Sequence, residues 1–337
     1  MCQYSSDNGF PNDWHFVHLG SRAVGGAGLV IVEATAVSPE GRISRADSGI
    51  YLDDHVEPFA RICKFMKQFG AVPGIQIAHA GRKASANKPW EGDNHIETGN
   101  GGWDTFAPSA VPFGGNLTKI PREMTVEDIV QVQDAFVAAA KRALAAGFEW
   151  LELHFAHGYL AHEFYSPLAN QRTDTYGGSF ENRIRFLLET FAAVRKVWPE
   201  RFPLTARLSV TDWIEGGVTV EESVELVRRM KSAGLDLLDI SQGFVTPDIS
   251  QIPWGPGFMI PSASRIRRET GIPTAVGWMI TDPQQAEEAV SDQHTDLVVL
   301  AREMLRDPYW PYHAAKQLGV DNAAEILPTQ YARAVKR

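Results

Sequence analysis

Residues 125–155 read TVEDIVQVQDAFVAAAKRALAAGFEWLELHF and contain one complete helix-to-strand step. Thr125 offers an N-cap oxygen, and Asp128 stands at N3 as an acidic variant of the capping box, so the orphan amides of a helix start have partners. Gly147 follows Ala146, where a residue with left-handed backbone ends a helix. Trp150–Phe155 is then a short strand covered on both faces, as a helix-covered parallel sheet requires.

The same step recurs in both directions. Toward the N-terminus, Leu29–Ala34 and Val72–Ala78 read as strands, with a helix over Asp54–Phe69 ended by Gly70 between them. Toward the C-terminus, helices are expected at Phe180–Trp198, Val220–Ala233, Pro261–Thr270 and Pro283–Val290. Strands are expected at Leu204–Ser209, Leu235–Ser241, Pro273–Val276 and Asp296–Leu300, with a last helix after Asp307. Doubly wound sheets and barrels share this alternation. The length, and the absence of a Gly-x-Gly-x-x-Gly turn after the first strand, favour a (β/α)8 TIM barrel. At about 150 residues per domain the chain suggests two domains, but one barrel can take about 250 residues or more. The expectation is one domain over residues 1–337, with the Gly-, Pro- and Asn-rich loop 80–123 as an active-site lid and 320–337 as a tail.

Composition narrows the function classes. Lys plus Arg is 32 and Asp plus Glu is 41, a net charge of −9 that argues against nucleic-acid binding. Hydrophobic content of 44% excludes a disordered chain. Two cysteines, Cys2 and Cys63, cannot form a disulfide scaffold, a Cys-ligated iron–sulfur cluster or a Cys₄ zinc site. A cytoplasmic enzyme is expected, because MCQYSSDNGF has no signal-peptide pattern and no run of eighteen apolar residues spans a membrane. Cys63 is given no function.

In a barrel the chemistry sits at the C-terminal ends of the strands. Those ends supply Glu33, Gln76, His79, His154, His157, Arg207, Ser241, Gly277, Trp278, Ala301 and Arg302. Three readings compete. A metal hydrolase would use His154, His157 and His162, although carboxylate partners are scarce beyond Glu33. A non-catalytic barrel would make each His a satisfied core residue and Arg207 an ion-pair partner. That suits any one residue, but not six converging strand ends. A flavin site would place Arg207 near the charge on N1 and O2, Gln76 on the pyrimidine edge, and the 277–278 and 301–302 loops on a phosphate.

Longer strings sharpen the choice. MCQY at 1–4, VEATAV at 32–37, GIQIAHAGRKAS at 74–85, ELHFAHGYL at 152–160, RTDTYGGSFENRIRFLLET at 172–190, VGWMITDP at 276–283 and AREMLRDP at 301–308 carry a resemblance across the whole chain. The sequence resembles the Old Yellow Enzyme family of FMN-dependent ene-reductases, in the branch of YqjM-like and xenobiotic reductase A-like enzymes. The resemblance implies FMN binding by Met1, Cys2, Ala34, Gln76, Arg207, Gly277, Trp278, Ala301 and Arg302. It implies substrate contact by Tyr4, His154, His157, Trp278 and Arg333. It implies catalysis by Tyr159 as proton donor, with His154, His157 and the flavin-side Cys2. NADPH or NADH would be the hydride donor, and enones, enals, nitro compounds or nitrate esters the substrates. His154 and His157 would hold the substrate oxygen, hydride would pass from FMN N5 to Cβ, and Tyr159 would protonate Cα. No metal is implied. Taken alone, Cys2 also fits a small buried hydrophobe, and Tyr4 and Trp278 fit core aromatics.

Three further features accompany the resemblance. Ala301 stands where many relatives have Gly, which is tolerable if its φ is negative. Gln330-Tyr331-Ala332-Arg333 resembles a C-terminal Gln-Tyr-x-Arg whose arginine enters a neighbouring subunit's site, implying a homodimer or homotetramer. The alternative is a frayed basic end of Arg333, Lys336 and Arg337. In the family a hairpin and the first barrel strand precede the Met-Cys at 1–2, so the expectation is a truncated start and an eighth strand upstream.

Overall fold

The computed structural model describes residues 1–335, so Lys336 and Arg337 lie outside the described residues. Seven parallel strands form one sheet: β1 (Leu29–Ala36), β2 (Val72–Ala78), β3 (Trp150–Phe155), β4 (Leu204–Ser209), β5 (Leu237–Ser241), β6 (Thr274–Val276) and β7 (Leu297–Val298). Each strand pairs with the next in chain order, and the order never reverses. That rules out a doubly wound sheet, whose order reverses at a switch point, and gives the winding of a (β/α)8 barrel. Among the described residues, β1 and β7 are the ends of the sheet.

The helices form where capping and periodicity require them. Thr125 Oγ1 accepts the Asp128 amide at 3.1 Å, and the Asp128 carboxylate accepts the Thr125 amide at 2.7 Å. The helix they start, Val126–Ala145, buries Ile129, Val132, Phe136, Ala139, Ala140 and Ala143, a stripe of helical period. Gly147 follows at φ +90°.

Several expected elements differ. The helix expected at Phe180–Trp198 is two segments, Phe180–Arg183 and Arg185–Arg195. It stops short of Trp198, which is buried with its indole N–H donated to the Pro203 carbonyl. The last strand is Leu297–Val298 rather than Asp296–Leu300, and among the described residues its one strand neighbour is β6. Two further helices carry no clear period in sequence. Asp13–Val24 buries His15, Leu19, Gly20 and Ala23, of which only Leu19 is a strong apolar signal. Leu160–Tyr165 is buried at all six positions, so it lacks an amphipathic pattern. The 80–123 segment holds three 3₁₀ turns and a small ribbon pairing Phe106–Ala107 with Arg122–Glu123. Among the described residues no helix is long and apolar enough to cross a membrane.

Candidate active site

β3 delivers His154 to the C-terminal end of the sheet, and a tight turn follows. His157 has φ +62° and Gly158 φ +70°, two successive left-handed residues that fold the chain back on the strand end. The rings of His157 and Tyr159 therefore lie 5.0 and 5.2 Å from that of His154. A non-glycine residue held in this region costs about 1–3 kcal/mol and persists only where surroundings over-determine it.

The surroundings do so here. The His157 amide donates to Ser209 Oγ at 2.9 Å, and its carbonyl accepts from Lys83 Nζ at 2.9 Å. A Cβ on Gly158 would come within 2.0 Å of the Phe244 carbonyl oxygen. The Gly158 amide donates to His162 Nδ1 at 2.9 Å, which leaves the neutral ring's proton on Nε2. That nitrogen lies 3.0 Å from Asp212 Oδ1, as a close electrostatic contact rather than a well-aligned hydrogen bond. Asp212 Oδ2 accepts from Ser166 Oγ and the Val218 amide. Both nitrogens of His162 are thus engaged behind the turn, which corrects its place as a third ligand beside His154 and His157. Among the described residues no group of three or more His, Cys, Asp or Glu is arranged to hold a metal ion.

The two imidazoles are neutral donors. Burial first, and the Arg207 charge second, hold His154 and His157 well below the usual histidine range. His154 Nδ1 is a buried polar atom with no protein partner. His157 Nε2 bonds Ser241 Oγ, which also accepts the Trp278 indole N–H at 3.0 Å. Trp278, itself at φ +65°, stacks on Phe244 with ring centroids 5.6 Å apart and closes one wall.

On the opposite side, Cys2, Tyr4, Tyr159, Trp103 and Phe113 pack on a buried cluster of Ile43, Ala80, Ala84, Ala86 and Leu117. A cavity of about 450 Å³ opens there, lined by Tyr4, Lys83, Asp93, Phe113, Tyr159 and Phe244 among others. Much of its lining comes from the 80–123 segment. Burial, reinforced by Asp47 and Glu33, pushes the Cys2 thiol far up, so at neutral pH it is a protonated thiol. Burial likewise holds Tyr159 well above the usual phenol range, with Cys2, Tyr4, Asp47 and Asp93 adding to it.

Beneath His154 the sheet carries a polar layer that includes two carboxylates absent from the candidate residues. Gln76 Nε2 donates to Glu152 Oε1 at 2.7 Å, and Arg207 Nε lies 3.2 Å from Asp239 Oδ2. Burial raises Glu152 to about 8 and Asp239 to about 6, with Asp239 adding to the first effect and Arg207 opposing both. Glu152 precedes His154 by two and Asp239 precedes Ser241 by two. Strand period alone could have placed these acids on the same face as the site residues.

The donor set fits a flavin. With its NH₂ engaged by Glu152, Gln76 keeps a carbonyl oxygen to accept a ring N–H. Arg207 faces the same layer, and its Nε makes no well-aligned bond. Ala34 is buried in β1, while Met1 is 59% exposed. Gly277 is buried, and a Cβ there would stand 2.6 Å from the Val299 carbonyl oxygen, so the β6–β7 approach requires glycine. Ala301 has φ −114°, which meets the condition for an alanine at that position. Arg302 opens the helix Arg302–Arg306 and is exposed. Arg333 is exposed on the helix Thr329–Val335, apart from the cavity lining. That helix docks Ala332 against Tyr312, Ala324 and Leu327.

The chain is similar to known proteins along most of its length. The NADH:flavin oxidoreductase / NADH oxidase family matches residues 1–321. The chain is 48% identical over 335 residues to an NADPH dehydrogenase of Geobacillus thermodenitrificans, covering 99% of this chain and 92% of that one. It is 45% identical over 337 residues to an NADPH dehydrogenase of Bacillus velezensis, covering 99% and 93%. Among solved structures, morphinone reductase in complex with tetrahydroNAD superposes with a TM-score of 0.77 at 25% identity over 95% of this chain and 85% of that one.

Proposed function

Because the chain belongs to the NADH:flavin oxidoreductase / NADH oxidase family, we propose that this FMN-dependent NAD(P)H oxidoreductase reduces the activated C=C bond of α,β-unsaturated carbonyl compounds, and nitro compounds in the same pocket. One observation carries the reading: two neutral imidazoles and a phenol meet on one ledge, with ring centroids 5.0 and 5.2 Å from His154. FMN, when bound, supplies the hydride and takes it in turn from the nicotinamide.

The chain does the rest. His154 and His157 donate hydrogen bonds to the substrate oxygen, where negative charge grows as the C=C bond is reduced. Neutral rings suit this role, since each keeps an N–H without adding a buried charge. Tyr159 gives its O–H proton to Cα. Ala34, Gln76 and Arg207 hold the flavin ring, and Arg207 offsets charge at its pyrimidine end. Gly277, Ala301 and Arg302 hold its phosphate, with Met1 near the ring. Cys2, as a neutral thiol, tunes the flavin and touches substrate with Tyr4, while Trp278 forms the far wall. The 80–123 segment excludes water as a lid.

The test is NADPH oxidation with and without 2-cyclohexenone, together with mass spectrometry of the cofactor released by heat. FMN in the supernatant and enone-stimulated turnover are expected. Turnover that ignores the enone overturns the substrate class. We also infer a homodimer or homotetramer with Arg333 completing a neighbouring site. Verified heterodimers of Arg333→Ala and Tyr159→Phe subunits should regain one intact site, and unrestored activity counts against it.

A further inference from the structure

Tyr159 sits where an anion is disfavoured. Burial raises its pKa, and Cys2, Tyr4, Asp47 and Asp93 raise it further. Yet proton donation leaves the electron pair of the broken O–H bond on that phenolic oxygen while the new bond forms to Cα. The structure supplies one answer. Lys83 ends the 3₁₀ turn Gly81–Lys83 directly after β2, and its Nζ lies 4.9 Å from the centre of the Tyr159 ring. The same ammonium lies 4.6 Å from the Phe113 ring and donates to the His157 carbonyl at 2.9 Å.

The placement is built. The Arg82 amide donates to Glu163 Oε1 at 2.9 Å, tying the turn to the helix that follows Tyr159. A Cβ on Gly81 would meet that carboxylate at 2.3 Å, so the two elements touch. The Arg82 guanidinium turns away, donating to the Val111, Pro112 and Val245 carbonyls. Lys83 is left facing the cavity beside Tyr159.

We propose that the Lys83 ammonium is the countercharge for the Tyr159 oxygen as that oxygen gives up its proton, an inference that rests on Tyr159 being the proton donor. A cation over an aromatic ring is favourable, and more so when desolvated. No group other than Tyr159 changes protonation in the step. The tyrosinate regains its proton from solvent once product leaves.

The charged groups around Lys83 set its pH range. Glu163, on the helix after Tyr159, and Asp93, in the lid, favour the ammonium, and Arg82 opposes it. Burial outweighs them and lowers Lys83 to about 8. His154 and His157 are neutral throughout this range. Burial raises Glu163 to about 8 as well, but its ionisation would strengthen the Lys83 charge rather than remove it. Proton donation should therefore slow as pH rises through about 8.

A nitroalkene isolates the step, because the nitronate left by hydride transfer absorbs in the ultraviolet and its protonation can be timed by stopped flow. In the FMN-loaded enzyme at pH 7, Lys83→Met should slow nitronate protonation about tenfold. Hydride transfer and phenol binding at the histidine pair should fall by clearly less than nitronate protonation, since Lys83 is one of several groups that hold the His157 turn. Lys83→Arg should restore the rate to within about threefold and move the alkaline limb to higher pH, since arginine stays charged. Glu163→Gln should keep a limb. Nitronate protonation as fast in Lys83→Met as in wild type, or a limb near pH 8 that persists in Lys83→Arg, overturns the countercharge role. A loss of phenol binding in Lys83→Met equal to the loss of rate assigns Lys83 to holding the His157 turn and also overturns it. Normal protonation in Tyr159→Phe overturns the proton-donor reading, and this inference with it. Slow Tyr159→Phe with normal Lys83→Met overturns this inference alone.

Discussion

The end of β3 and the β6–β7 end of the same sheet are built in opposite ways. At β3 a six-residue strand with neighbours on both sides delivers His154, 3% exposed, and side-chain bonds from Ser209, Lys83 and His162 hold the next turn. At β6–β7 the strands are three and two residues long, Leu297 is 38% exposed, and Ala301 and Arg302 face solvent. The contrast matches the two jobs proposed. Proton and hydrogen-bond chemistry needs groups fixed to a fraction of an ångström, which dense packing provides. A phosphate can be held by backbone amides and a nearby cation on a more open edge.

Four measurements can break or sharpen that contrast. The largest effect belongs to the packed half. Tyr159→Phe should slow enone reduction by up to about 10²-fold while leaving flavin reduction by NADPH nearly untouched; equal losses in both half-reactions would refute the proton-donor role. Next comes the support behind the turn. His162→Leu removes the acceptor for the Gly158 amide and should cost about tenfold in kcat with weaker phenol binding, and His162→Asn, which keeps an acceptor near the Nδ1 position, should recover most of it. If both variants behave alike, the bond to Gly158 does not position the site.

On the open half the effect should be smaller. Arg302→Ala removes one exposed cation and should weaken FMN affinity about fivefold, the scale of a single exposed ion pair, as measured by fluorescence titration of the apoprotein. A loss of about a hundredfold or more would mean that the exposed edge is not the weaker half. The smallest effect is expected under the site. Glu152 titrates higher in the folded chain than the ordinary value of 4.5 for an unfolded one, at about 8. The folded state therefore binds the extra proton, and that stabilisation is complete below the unfolded value and lost as pH rises toward the folded one. Across pH 5 to pH 8 Glu152 therefore tilts the melting temperature downward, against the upward tilt from the lowered His154 and His157, and Glu152→Gln should remove that downward share of the slope. An unchanged slope would show that Glu152 is already ionised there.

Much of this architecture was legible from local pattern. The strand–helix alternation, the Thr125–Asp128 box, Gly147 and the β2, β3 and β4 boundaries follow from short-range chemistry, and all recur in the fold. The helix Leu160–Tyr165 did not, because full burial erases the period that marks an amphipathic helix. Strand period puts Glu152 and Asp239 on the face of His154 and Ser241, but their pairing with Gln76 and Arg207 shows only across the sheet. His162 follows His157 by five residues and His154 by eight, and that closeness along the chain groups the three as candidate metal ligands. The left-handed turn at 157–158 instead sends His162 behind the site.

What the sequence determined by itself was the class of fold, the family and the set of residue types converging on one end of the sheet. These depend on propensity, period and long distinctive strings, which are properties of neighbours along the chain. What the tertiary structure decided was which of those residues touch. It set Tyr159 beside His154, turned His162 toward Asp212, and laid the Lys83 charge against the Tyr159 ring. Such contacts join residues far apart in sequence, such as Lys83 and His157 or Asp212 and His162. Their distances depend on packing between elements, which no local pattern encodes.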